Sequence, residues 1–288
     1  MSENKKERFS YSKLGTYHNC PYSYKLIYQD HVKRNNGVYG VLGSKLHEIM
    51  ERLEHDKITK EDALNEWETE VDILDFADEL NFPTENAKNN YLKDVELYLE
   101  HFKPLDFENK ETLVEQEFEI ELCGITLMGY IDLAIIDHDK KEITIVDYKT
   151  SSKNSFTKDK LVHKCHQLML YAKAMEERYK GYKIVETKFD MVKYGEHKKT
   201  GRVKERKDIP IDKMEEYKRY FISVPFNDEN YKVFEDYVSE SLEKINDAKD
   251  KDEWEPEVNM FFCSNLCGVS SNCKFYQKKN KYKKIINK

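Results

Sequence analysis

The segment from Gly129 to Lys149, GYIDLAIIDHDKKEITIVDYK, constrains the fold more than any other part of the chain. Ile131, Leu133, Ile135 and Ile136 form an apolar run of strand type. Ile143, Ile145 and Val146 begin a second run, and the polar residues His138 to Lys141 between them suit a hairpin turn. Alternation along a strand sends Asp147 and Lys149 to one side and Tyr148 to the other. Pairing of the two strands brings Asp132 beside Asp147, so two carboxylates and a lysine meet at one end of a sheet. Two anions at that distance repel, and one of them protonates unless a cation lies between them. A hard divalent cation with oxygen ligands, such as magnesium, resolves the conflict. A lysine beside it can orient a water or stabilise charge on a phosphate. The plain alternative is a solvated hairpin with ordinary surface charge.

The 288 residues suffice for one elaborated domain or two small ones. No apolar run approaches the roughly 20 residues that cross a membrane, and the N-terminus MSENKKERFS lacks the apolar core of a signal peptide. The expected setting is the cytoplasm, where six cysteines are thiols or metal ligands rather than disulfides. A net charge of −7 argues against nucleic-acid binding by the chain as a whole. The average hides two basic segments. One carries Lys198, Lys199, Arg202, Lys204, Arg206 and Lys207; the other is the lysine-rich tail from Lys274 to Lys288. Either can follow a phosphate backbone, although a tail of this kind is equally a solvated terminus.

The remaining elements follow from periodicity and caps. Ser10 or Ser12 caps a first helix, and Pro21 opens a second. Leu42, Leu46, Ile49, Met50 and Leu53 make the buried stripe of a helix over Val41 to Leu53, with His47 beside it. Thr59 and Thr84 cap two further helices, separated by Pro83, in a helical insertion over about 56–105. Leu113 to Leu122 alternates, with Glu115, Glu117, Glu119 and Glu121 on one face. That face is expected to be solvated, although Glu115 or Glu117 could approach a metal. Cys123 and Gly124 make the next turn. A single helix is expected over Thr157 to Tyr179, with Cys165 in the core and Gln167 and Tyr171 one turn apart. Two strands are expected over Val185 to Val192 and Val203 to Ile211, then a short helix over Asp212 to Phe221 and another from Tyr231 to Ile245. In the cysteine-rich segment 260–276, Cys263, Cys267 and Cys273 lie close enough in sequence to signal a metal, and soft thiolates select zinc or an iron–sulfur cluster.

Gly129-Tyr-Ile-Asp132, a short spacer and Asp147-Tyr-Lys149 together resemble the active-site hairpin of the PD-(D/E)XK nuclease superfamily. The likeness is greatest to its RecB/AddB-like exonuclease branch, which includes the CRISPR-associated RecB-like exonucleases. Gly129 to Asp132 stands where the proline of the name would be. The resemblance runs from Ser10 to Cys273 and implies a single α/β domain over 1–288. Its core would be restriction-endonuclease-like, a central mixed β-sheet flanked by helices, with the helical insertion added. It implies that His47 of Gly-x-x-x-His joins Asp132, Asp147 and the Tyr148 carbonyl in binding magnesium or manganese. It also implies that Lys149 is catalytic, that Gln167 and Tyr171 form the Gln-x-x-x-Tyr motif holding lysine and substrate, and that Lys198, Lys199 and Arg202 meet DNA. Cys20 would join Cys263, Cys267 and Cys273 around a 4Fe-4S cluster, with zinc as the alternative. The implied activity is metal-dependent hydrolysis of DNA, single-stranded or with free ends, in repair, recombination or phage or CRISPR DNA processing, with a helicase or recombination partner. The alternative is a non-catalytic DNA-binding or scaffold protein on the same fold.

Overall fold

The computed structural model describes residues 7–279. Along the chain lie β1 (Arg8–Phe9), α1 (Tyr11–Asn19), α2 (Pro21–Tyr24), α3 (Val38–Glu54), α4 (Lys60–Phe76) and α5 (Glu85–Glu100). Then come β2 (Glu111–Leu122), β3 (Ile125–Asp137), β4 (Glu142–Lys149), α6 (Lys158–Lys164), α7 (His166–Arg178), β5 (Lys183–His197) and β6 (Val203–Glu205). The described chain ends with β7 (Tyr217–Val224), α8 (Asp228–Lys251) and α9 (Met260–Asn265), before a last helical stretch over 274–279. These elements fall into two compact units. Among the described residues, one comprises 7–41, 120–128 and 235–279; the other comprises 42–119 and 129–234. No described helix is long and apolar enough to cross a membrane.

The larger unit holds a mixed sheet with flanking helices, the α/β architecture expected. β3 pairs antiparallel with β4, with Leu133 opposite Val146 and Ile136 opposite Ile143. β4 runs parallel to β5, and β5 pairs antiparallel with both β6 and β7. β4 is therefore an interior strand. Its Ile143, Ile145, Val146, Asp147 and Tyr148 are all buried, as a strand covered on both faces requires. α3 forms on the expected stripe: Leu42, Leu46, Ile49 and Met50 are fully buried and Leu53 nearly so. Burial of each such side chain is worth about 1.5–3 kcal/mol. α4 opens with a capping box, in which Asp62 N–H donates to the Thr59 hydroxyl at 3.1 Å and Thr59 N–H donates to the Asp62 carboxylate at 2.9 Å. Thr84 caps α5 through Ala87 N–H.

Three expectations are corrected. The helix over 157–179 is two helices broken at Cys165, and α6 buries none of its residues. Leu161 is only half-buried, so the apolar repeat does not continue N-terminally from α7. The strand expected over Val203 to Ile211 stops at Glu205, where Arg206 turns into a short 3-10 segment. The helix expected over Asp212 to Phe221 is a 3-10 turn to Glu216 followed by β7. β7 exists through its pairing with β5, Phe189 opposite Ile222 and Gly195 opposite Arg219. A partner strand more than twenty residues away overrides local helical spacing.

In the smaller unit, β1 runs parallel to the first residues of β3, Arg8 opposite Thr126 and Phe9 opposite Leu127. Cys123 and Gly124 make the β2–β3 turn with positive φ at both residues. Ser10 caps α1 by accepting from Lys13 N–H, and Pro21 opens α2. The lysine-rich tail lies outside the described residues from 280 onward. Of its earlier part, Lys274 sits over the rings of Tyr22 and Phe275.

Candidate active site

β3 and β4 deliver the carboxylates. The register that sets Leu133 against Val146 places Asp132 opposite Asp147 one step further. Asp132 is 7% exposed and accepts from Tyr148 N–H at 2.9 Å through Oδ2. Asp147 is fully buried. Its Oδ2 pairs with the Lys149 ammonium, and its Oδ1 has no hydrogen-bond partner among the described residues. Burial pushes the Asp147 carboxyl up to about 6; Lys149 opposes that rise and the charge of Asp132 adds to it. A buried carboxylate oxygen without a donor is an energetic liability that a cation would remove.

α3 delivers His47. Its Nδ1 lies 3.5 Å from Asp132 Oδ2, and its ring stands edge-on to Tyr148 at 5.8 Å between centroids. The third member comes from β2. Glu115 is exposed, as expected of that face, and it is the one of the two candidate glutamates whose carboxylate lies within 4.8 Å of both a His47 nitrogen and an Asp132 oxygen. Glu115 has φ 44°, in the left-handed region that a glutamate adopts rarely. This kink separates Glu115 in conformation from the regularly alternating Glu117, Glu119 and Glu121. Partial desolvation raises its carboxyl above the ordinary range, and His47 opposes that rise. The alternation of β2 in sequence contains no sign of the kink.

α7 supplies the far side. Lys149 Nζ donates to Gln167 Oε1 at 3.0 Å, and Gln167 Nε2 donates to the Tyr171 hydroxyl at 2.6 Å. Gln167 and Tyr171 are one turn apart, so a single helix face carries both. Tyr171 is buried, and that burial, with the charges of Asp147 and Asp132, holds its hydroxyl protonated far above pH 10. Its ring stands edge-on to Phe118. Gly129 leaves room for the same Phe118, since a Cβ there would sit 3.2 Å from two ring atoms.

The hairpin residues Asp132, Asp147 and Lys149 thus meet the three that the resemblance added, His47 beside Asp132, and Gln167 with Tyr171 beyond Lys149, with Glu115 near His47 and Asp132. Side chains of this kind fit a divalent cation through hard oxygens and one imidazole nitrogen. The backbone of Tyr148 runs beside Asp132, while its side chain turns away and donates to Glu54 at 3.2 Å.

The basic residues divide. Lys198, Lys199 and Arg202 are exposed on the β5–β6 turn, seven or more residues along β5 from the Met191 that pairs with Lys149, or roughly 20 Å. Lys198 donates to the Glu215 carbonyl. Arg206 is corrected from a surface cation to a core residue. It is 4% exposed, donates to the Val192 carbonyl at 2.8 Å and lies over the Tyr98 ring. It cannot follow a phosphate backbone.

In the smaller unit, Cys20, Cys263, Cys267 and Cys273 line one cavity of about 10 Å³. Glu257 N–H donates to Cys20 Sγ at 3.3 Å and Tyr276 N–H to Cys273 Sγ at 3.4 Å. Burial, reinforced by the other three thiols, pushes the Cys263 thiol up to about 11. Among the described residues, no three of these sulfurs lie within 4.8 Å of one another. Cys123 is exposed in its turn and Cys165 is buried at the α6–α7 break, neither of them at this cavity.

No curated protein compared with the chain matches it. The family model of the PD-(D/E)XK nuclease superfamily, by contrast, matches residues 8–274, a span that takes in His47, the carboxylate hairpin, the α7 pair and all six cysteines; the chain belongs to this nuclease superfamily.

Proposed function

We propose that the chain is a magnesium- or manganese-dependent deoxyribonuclease that hydrolyses phosphodiester bonds from free DNA ends, as a RecB-like exonuclease. Superfamily membership supports nuclease chemistry with a divalent metal. The observation that carries the reading is the convergence of His47, Glu115 and Asp132 beside the buried, partnerless Asp147 Oδ1 and the Lys149 ammonium. His47, Asp132 and Asp147 would hold the metal, with Glu115 and the Tyr148 carbonyl as further donors. A bound divalent ion lowers the pKa of water and neutralises phosphate charge. Lys149 lies where it can orient the attacking water or donate to the phosphate oxygen that gains charge as the P–O bond to the leaving strand breaks. Gln167, locked by Tyr171, fixes the Lys149 ammonium so that it need not reorganise during reaction.

Lys198, Lys199 and Arg202 would contact the DNA backbone at a distance from the scissile bond. Cys20, Cys263, Cys267 and Cys273, which line one cavity, would hold a 4Fe-4S cluster that fastens the C-terminal segment to α2, with zinc as the alternative. Work in the cytoplasm on DNA intermediates of repair, recombination or phage or CRISPR processing, beside a helicase, completes the reading.

The test uses linear single- and double-stranded DNA, end-labelled, with free or blocked termini, and a closed circle as control. With manganese, the chain should release nucleotides from free ends, and Asp132→Ala or Asp147→Ala should abolish release while the circular dichroism spectrum stays unchanged. Absence of cleavage on every substrate in manganese and magnesium would refute the reading. Equal cutting of the circle would leave a nuclease but remove the exonuclease.

A further inference from the structure

A fully buried charged network lies directly behind the carboxylate hairpin. Arg219 on β7 donates through Nη1 to both Glu54 oxygens at 3.0 and 2.9 Å, and through Nε and Nη2 to Asp190 Oδ2 at 2.9 and 2.5 Å. The Tyr98 hydroxyl donates to the same Asp190 oxygen at 2.5 Å. Leu105 N–H donates to Glu54 at 2.6 Å. Tyr148 joins the network to the site, its hydroxyl donating to Glu54 Oε2 at 3.2 Å. Glu54, Asp190 and Tyr148 are 0–3% exposed and Arg219 is 8% exposed.

The placement of two members matters most. Glu54 lies seven residues after His47 on α3, two turns along the same helix face and roughly 10 Å away. Tyr148 lies between Asp147 and Lys149 on β4, directly opposite Asp190 on β5. Its ring edge meets His47, and its hydroxyl meets Glu54. One tyrosine thus braces the helix that carries the histidine against the strand that carries the carboxylate and the lysine. Arg219 then fastens that brace to β5 and β7.

We propose that Glu54, Tyr148 and Arg219 are positioning residues that fix His47 relative to Asp132 and Asp147, and so set the affinity of the metal site. None of their network atoms belongs to the proposed first ring of metal donors. Their effect is geometric, because freeing Glu54 or Tyr148 lets α3 slide or rotate against β4, and the imidazole moves with it. Residues that orient metal ligands commonly influence metal affinity by about 10–100-fold.

The inference rests on the nuclease reading, and the test separates the two. Manganese binding to the metal-free chain is titrated calorimetrically for the parent, Tyr148→Phe and Glu54→Gln, at a temperature where each is folded. Cleavage kinetics and melting temperatures are measured alongside. Both variants should bind Mn2+ about 10-fold or more weakly and lose kcat, while KM for DNA stays within about twofold, since neither residue meets the substrate. Tyr148→Phe removes one hydroxyl and leaves the Arg219 ion pairs intact, so it decides the question if Glu54→Gln fails to fold. Lower melting temperatures with parental Mn2+ affinity in the folded variants would overturn the positioning role and leave packing alone. A parent that binds Mn2+ and cleaves, with unaffected variants, overturns this inference only. A parent that binds no Mn2+ overturns the nuclease reading as well.

Discussion

Asp94 offers a test of the core that does not touch the proposed chemistry. It lies on α5, is fully buried, and accepts from Lys207 N–H at 2.8 Å through Oδ1, while Oδ2 has no hydrogen-bond partner among the described residues. Burial pushes its carboxyl up to about 6, against the opposing Lys207 N–H and Lys193. The ordinary value is 3.8, so the folded chain holds this proton more tightly than the unfolded chain does. The group therefore costs nothing below about pH 4, and the folded state loses stability as pH rises through 6. At about 1.4 kcal/mol per pK unit, the loss is about 1.5 kcal/mol at pH 5 and about 3 kcal/mol at pH 8. Asp94→Asn keeps an acceptor for Lys207 and removes the charge. Its stability relative to the parent should grow by about 1.5 kcal/mol between pH 5 and pH 8. Urea unfolding at the two pH values measures this difference, and any constant cost of the unpaired amide cancels. A difference independent of pH, or one that shrinks toward pH 8, would show that Asp94 is not a buried charge in the folded chain.

Three further outcomes are expected. Lys149→Ala should lower kcat far more than DNA affinity, since the role proposed for its ammonium belongs to the transition state; equal loss of binding with an unchanged single-turnover rate would make it a simple phosphate contact. Glu115→Gln should weaken Mn2+ binding by about 10-fold and Glu117→Gln should not; equal effects in a Mn2+ titration would return Glu115 to the solvated face. Cys20→Ser or Cys267→Ser should lose bound iron, melt at lower temperature and become protease-sensitive near the C-terminus, whereas Cys123→Ser should keep its iron. Stoichiometric zinc without iron after anaerobic purification would replace the cluster with a zinc site.

What the sequence discloses here is what local rules write. The hairpin is legible because Ile131 to Ile136 and Ile143 to Val146 flank a polar turn. The α3 stripe is legible because five apolar residues repeat at helical spacing, and Thr59 and Thr84 announce their helices through hydroxyl caps. What stays hidden depends on distant partners. β7 reads as helix until β5 lies beside it. Arg206 reads as a surface cation because the Tyr98 ring that receives it lies in the insertion, more than a hundred residues earlier. Arg219 carries no sequence sign that Glu54 and Asp190 will converge on it. The sequence leaves Glu115 and Glu117 as equal candidates for another reason. Glu115 sits in a regular alternation, and only a backbone kink distinguishes it from the glutamates that follow.

The two sides of β4 pose opposite electrostatic problems, and the fold joins their solutions through one residue. On one side, Asp147 faces Asp132, the Lys149 ammonium pairs with Asp147, and Asp147 Oδ1 has no donor among the described residues. That side is under-compensated in the metal-free chain, as a cation site must be if it is to bind. On the other side, Arg219 donates to both Glu54 oxygens and to Asp190 Oδ2, Asp190 Oδ1 has no donor among the described residues, and burial raises the Glu54 carboxyl against the pull of that arginine. Buried ion pairs of this kind are often no more stabilising than apolar side chains of similar volume, so stability alone does not account for the arrangement. Ion pairs have what apolar packing lacks, a direction, and a guanidinium that donates to two carboxylates at once restricts how far either can turn. Tyr148, with its backbone N–H on Asp132 and its hydroxyl on Glu54, transfers that direction from the compensated side to the uncompensated one. The carboxylates proposed to hold the metal can then repel one another without moving apart.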